Sequence, residues 1–134
     1  MSHRYILDEN GEPAPEPDLM KWARWFEDAD RTVAATYVDR GGIRITISTV
    51  FLGMDHNLMG RGPPVLWETM VFGPPVPRML LGRLRDIRPA LDQCRYSKRE
   101  TAVAHHAEIV KAVRRGDYDI KLVARLTEES SAPD

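Results

Sequence analysis

Two runs rich in β-branched and apolar residues, Thr32 to Val38 and Ile43 to Met54, stand either side of Asp39-Arg40-Gly41-Gly42. A glycine-containing turn between two strand-forming runs is a hairpin signal, so the middle of the chain is committed to antiparallel pairing. In the second run Ile43, Ile45 and Ile47 alternate with Arg44, Thr46 and Ser48, which gives one apolar and one polar face. After Ser48 the alternation stops: Val50, Phe51, Leu52 and Met54 are apolar on both faces. That end is expected to be covered on both sides or bulged near Ser48-Thr49. A third strand is expected over Val65 to Phe72, after a connection from Asp55 to Pro64 that is long for a hairpin.

Helical spacing appears in three places. A helix is expected from about Pro17, since proline is tolerated in a first turn, Asp18 complements the helix dipole, and Leu19, Trp22, Ala23 and Phe26 share a face. Trp25 falls on its flank, as a partly exposed contact residue or a cap on the edge of the core. Leu80, Leu84, Ile87 and Leu91 give a second helical spacing, which Pro89 would end at Arg88. Ser97-Lys98-Arg99-Glu100 has capping-box form and opens a third helix with an apolar face of Ala102, Val103, Ile109, Val110 and Val113, closed by Gly116. Tyr5 to Leu7 reads as a short extended piece ending in a turn, and the prolines at 13, 15 and 17 keep the next residues from helix or central strand. Gln93 to Tyr96 fits a short fourth strand. Residues 118–126 fit either an edge strand or a helical turn, and 127–134 a solvated tail. The expectation is one α+β domain over residues 1–126, an antiparallel sheet of three to five strands packed against two or three helices.

Composition narrows the function classes. With 134 residues, 43% hydrophobic and 29% charged, the chain has room for one core. Cys94 is the only cysteine, which excludes an internal disulfide and a multi-cysteine zinc site and fits a reducing cytoplasm. The start does not read as a signal peptide and no run approaches the ~18 apolar residues of a bilayer span, so no membrane partner is expected. A net charge of −1 argues against bulk nucleic-acid binding. The charge is nevertheless uneven: residues 1–30 carry three basic and eight acidic side chains, residues 78–99 seven basic and two acidic. The basic stretch reads as a solvated face or as a patch for an anionic ligand.

Three sets of residues invite chemistry. Glu68 is the one charge in a row with Leu66, Met70 and Phe72, so it must be paired, exposed or neutralised. It is read as a ligand-contacting carboxylate, or as one that meets an arginine at an oligomer interface. His106 lies in line with Val103, Ile109, Val110 and Val113 and is expected to be a core histidine with a satisfied hydrogen bond, whereas His105 points to the flank. Asp55-His56-Asn57 holds polar ligands that are also ordinary turn chemistry. No dinucleotide fingerprint, P-loop, nucleophile elbow or zinc-protease motif is present in the sequence. No cofactor and no metal is expected.

Several segments, in order, resemble a family of small accessory proteins encoded by bacteriophages and prophages: Tyr5-Ile6-Leu7-Asp8 with Gly11 and Pro13, Trp22 to Glu27, Ser48 to Asn57, Gly62-Pro63-Pro64 with Trp67 to Gly73, and Arg95-Tyr96-Ser97 with His106. The resemblance spans most of residues 4–113. The chain departs from it in a longer, more basic stretch from Pro74 to Gln93, and in His105, where a glycine is expected. Such accessory proteins include inhibitors of bacterial immunity that sequester nucleotide signals. The resemblance therefore implies an anti-defence binding protein in the host cytoplasm, a homo-oligomer that captures an anionic nucleotide-like small molecule. Its expected ligand-binding residues are Phe51, Asp55, His56, Asn57, Arg61, Trp67, Glu68, Arg95, Arg99 and His106, with arginines on phosphates, Trp67 or Phe51 stacking, and Glu68, Asp55 or Asn57 selecting. The alternatives are a protein inhibitor of a host immune enzyme, and a small hydrolase or lyase that uses Glu68 with His56 or His106.

Overall fold

Residues 3–74, 76–80, 83–87 and 90–116 are described by the computed structural model. Along the chain come β1 (Tyr5–Leu7), β2 (Pro13–Pro15), α1 (Leu19–Asp28), β3 (Thr32–Arg40), β4 (Ile43–Phe51), β5 (Trp67–Phe72), β6 (Val76–Leu80), β7 (Arg83–Ile87), β8 (Ala90–Tyr96) and α2 (Arg99–Arg114). The architecture is α+β. An antiparallel four-stranded sheet has the order β3-β4-β5-β8, and β1-β2 and β6-β7 form two-stranded sheets. Among the described residues no helix is long and apolar enough to cross a membrane.

The central hairpin turns through Gly41 and Gly42, at φ 55° and 81°, with Arg40 opposite Ile43. Both turn positions need positive φ, which glycine adopts without steric cost. The irregularity expected near Ser48-Thr49 lies instead in the partner strand: Thr32 pairs with Val50 and Ala34 with Thr49, so Val33 is the extra residue. From Ile45 on, odd positions of β4 and β5 face α2. Val38, Ile45, Ile47 and Val71 meet Ile109, Val110 and Val113 of that helix in one core cluster. Phe51, Leu66, Trp67, Tyr96 and Ala102 form a second, against which Tyr5, Leu7, Trp25 and Val33 pack.

α1 starts one residue after its N-cap, Asp18, whose carboxylate accepts from Met20 N and Lys21 N. It buries no residue completely. Trp22 Nε1 donates to Gly53 O at 2.9 Å, and Trp25 meets the Phe51 ring edge-on at 5.8 Å. Leu19, expected on the core face, is exposed, because these contacts begin at Trp22.

Three further expectations need correction. The segment around Leu80, Leu84 and Ile87 is not helical: β6 and β7 pair antiparallel, with Val76 opposite Ile87 and Met79 opposite Leu84. In Arg83-Leu84-Arg85-Asp86-Ile87 the two apolar residues are three apart, a helical spacing, yet the strand register sets Leu84 opposite Met79 and Ile87 opposite Val76. The capping box at Ser97 does not form. Lys98 is the N-cap of α2 and makes no side-chain cap hydrogen bond. On α2, Val103 is 43% exposed while His105 is buried, its ring edge-on to Tyr96 at 5.0 Å. The buried arc of the helix is thus turned toward β8 relative to the expected one. Gly116, at φ 90°, follows the C-cap Arg115 as expected. The expectations for residues 118–126 and 127–134 lie outside the described residues.

Candidate anion-binding site

β8 ends at Tyr96 and α2 begins at Arg99, so two residues turn the chain from sheet to helix. A depression of about 370 Å³ opens at this junction, lined by Arg95, Tyr96, Ser97, Lys98 and Thr101. Among the described residues the lining has two cations, Arg95 and Lys98, the hydroxyls of Ser97 and Thr101, and no carboxylate. The first helical hydrogen bond runs from Ala102 N to Lys98 O, so the N–H groups of Arg99, Glu100 and Thr101 have no intrahelical acceptor. An ammonium at the N-cap cannot accept from them either. The positive end of the helix dipole reinforces the two cationic side chains.

Arg95 is held in place from the sheet. It sits opposite Glu68 on β5, and its Nε donates to Glu68 Oε2 at 2.8 Å. The Glu68 side chain is 11% exposed and that of Arg95 41%, so the carboxylate is spent inward while the guanidinium keeps an open side. This answers the question that Glu68 raises in sequence: the odd charge in an apolar row is paired within its own chain. On the other flank of α2, a second depression of about 290 Å³ contains Arg99 and Arg31, but also Glu12, Asp30 and Glu100. Its mixed signs favour an anion far less.

The other expected ligand-binding residues are placed elsewhere. Phe51 is 0% exposed and Trp67 3% exposed, both within the aromatic core, so neither presents a face on which a base can stack. Asp55 and Asn57 hold the β4–β5 connection together. Asp55 Oδ1 accepts from Asn57 N at 2.7 Å and Val65 N at 2.9 Å, and Asn57 Nδ2 donates to Arg61 O and Pro63 O. His56 Nδ1 donates to Met54 O at 2.9 Å. Arg61 is exposed on the same connection and is not part of the β8–α2 depression. Arg88 lies outside the described residues.

His106 is a core histidine with both ring nitrogens engaged, Nε2 with Thr36 Oγ1 at 2.9 Å and Nδ1 with Thr49 Oγ1 at 2.7 Å. Thr49 Oγ1 in turn meets Thr69 Oγ1 at 2.6 Å. Burial pushes the His106 pKa below the usual histidine value. Thr69 and Glu68 are adjacent on β5 and point to opposite faces of the sheet, so Glu68 and His106 do not meet as an acid–base pair.

Of the residues lining this depression the expected ligand set contains Arg95 alone; Arg99 lies in the mixed-sign depression, and Ser97, Lys98 and Thr101 were not in the set. A legible signal existed: Arg95-Tyr96-Ser97-Lys98-Arg99 puts cations and hydroxyls at a strand-to-helix junction, where anions are commonly held. The capping-box reading absorbed those residues into helix formation. Comparison with protein-family models, curated proteins and solved structures found no match to this chain.

Proposed function

We propose that the chain is a binding protein that holds an anionic, phosphate-bearing ligand of the nucleotide class at the β8–α2 junction. The observation that carries this reading is the depression lined by Arg95, Ser97, Lys98 and Thr101, with no carboxylate among the described residues, at a helix start whose N-cap side chain makes no cap hydrogen bond. Cations, hydroxyls and outward N–H groups converge there on one solvent-open space, a combination suited to phosphate oxygens. The aromatic residues expected to grip a base are in the core, so recognition rests on the phosphate end. Capture without turnover fits a site where Glu68 is engaged by Arg95 and His106 by two threonines. Sequestering a nucleotide signal during phage infection is the biological setting in which such a protein would act.

Isothermal titration against cyclic dinucleotides, cyclic trinucleotides, ADP-ribose and pyrophosphate tests the reading. At least one is expected to bind, more weakly at high salt. Lys98→Ala is expected to weaken it about tenfold, the loss of one charged hydrogen bond. No binding across the panel, or binding that Lys98→Ala leaves unchanged, overturns the proposal.

A second reading, inhibition of a partner protein, is favoured by the tip of the β4–β5 connection. Leu58 is 92% exposed and Met59 83% exposed, on a loop braced by Asp55 and Asn57. Two large apolar side chains held out on an ordered loop suit insertion into a partner's pocket. Co-purification from a host lysate that Leu58→Ser and Met59→Ser abolish, with no ligand in the titrations, would select this reading.

A further inference from the structure

β3 is an edge strand, and among the described residues no strand pairs with its outer side. From Thr32 to Val38 it contains no charge and no proline. Exposed edges are commonly protected by charges, prolines or bulges; β3 has its bulge at Val33 and its charges only at the hairpin end, Asp39 and Arg40, which leaves Ala34 to Val38 open to pairing. The β8 edge differs, with Asp92 and Arg95 along it.

The helix above β3 continues the same surface. Two contacts, His106 with Thr36 and Arg40 Nη1 donating to Arg114 O, align α2 with β3 in one direction, and Val110 shares a core cluster with Val38. His105 faces Tyr96 on the β8 side. At about 100° per residue, Val103 and Ala107 therefore lie on the flank toward the β3 edge, and both are exposed.

We infer that a second copy of this chain docks here, pairing β3 with β3 antiparallel and α2 with α2 about one two-fold axis. Ala107 lies midway between Glu100 and Arg114, and Thr36 midway between Thr32 and Arg40. Since Thr36 is level with His106, the midpoints of strand and helix nearly coincide, and a single axis serves both layers. Reversing the helix about Ala107 sets Glu100 of one copy against Arg114 of the other, and sets the small Ala107 against its own image. A foreign strand satisfies the β3 edge alone. Only a reversed copy of this chain also matches the apolar flank and its two charged ends, the self-complementary condition of an isologous dimer.

Light scattering of the full chain over a concentration series is expected to give a dimer. Ala107→Glu brings two carboxylates together on the axis and is expected to give a monomer with unchanged circular dichroism, because the position is exposed. Glu100→Arg is expected to weaken dimerisation about tenfold, and the swap Glu100→Arg with Arg114→Glu to restore it. A monomer at every concentration overturns the inference, whatever covers the edge instead. So does a dimer that Ala107→Glu leaves intact, or a charge swap that fails to rescue. Ala107 does not line the anion depression, so these outcomes are separate from the ligand titrations.

Discussion

The half of the core under α2 is aliphatic and built from neighbours in the sheet, whereas the half at the far end of β4 is aromatic and gathered from most of the chain. Val38, Ile45, Ile47, Val71, Ile109, Val110 and Val113 make the first. Phe51, Trp67 and Tyr96 centre the second, with Tyr5, Leu7 and Trp25 brought in from the N-terminal segment and α1. The buried His106, Thr49 and Thr69 side chains and the half-buried Thr36 form a hydrogen-bonded polar layer on the same face of the sheet. Cys94 packs against both halves. The difference teaches that regular alternation suffices for one half, while the other depends on tertiary docking that no local pattern encodes.

The sharpest test of this division removes one large side chain from each half. Phe51→Ala is expected to cost about 3–5 kcal/mol and Ile109→Ala about 2–5 kcal/mol, read from urea unfolding. If the polar layer separates the halves, the double variant adds to within about 0.5 kcal/mol; a larger coupling means a single core. Gly53→Ala comes next and strikes only the aromatic half. Gly53 has φ 74°, and a Cβ there would sit 3.0 Å from Phe26 Cδ2. A loss of about 1–3 kcal/mol is expected, with Trp22 fluorescence changed in the folded state.

His106→Leu tests the polar layer itself. It strands the Thr36 hydroxyl and is expected to cost about 1–3 kcal/mol at neutral pH. The wild-type pH dependence follows from the lowered His106 pKa. Above the ordinary histidine value of 6.5 the ring is neutral in both the folded and the unfolded chain, and its contribution to stability is fully present. As pH falls from 6.5 through the lower folded value, the unfolded chain takes up more protons and that contribution is lost. Unfolding midpoints at pH 7.5 and pH 5, compared between wild type and His106→Leu, should show the variant losing less stability on acidification. Equal losses would mean His106 does not set the slope. The smallest effect belongs outside both halves: Leu58→Ser should change stability by no more than about 0.5 kcal/mol.

The sequence made the aliphatic half readable. The Ile43-Ile45-Ile47 alternation and the Asp39 to Gly42 turn place the hairpin, and Ile109, Val110 and Val113 place the helix on it. His106 as a satisfied core histidine was legible for the same reason, since it shares their spacing. The aromatic half was harder. Trp67 or Phe51 is expected from the sequence to stack on a ligand, because single strands do not disclose that Trp25, Tyr5 and Leu7 pack against their cluster. Around Leu84 the spacing of Leu80, Leu84, Ile87 and Leu91 is helical, and only the antiparallel pairing with β6 makes this segment β7. At the candidate site Arg95 was visible by charge, but its fixed orientation depends on Glu68 lying opposite it, a matter of strand register.

All three tryptophans, Trp22, Trp25 and Trp67, belong to the aromatic end. Intrinsic emission therefore watches one end of this molecule and is blind to the other, whereas the far-ultraviolet signal of α2 samples mainly the blind one. Melting curves recorded by the two optical probes superimpose only when both ends give way together, so an unlabelled sample carries its own gauge of cooperativity.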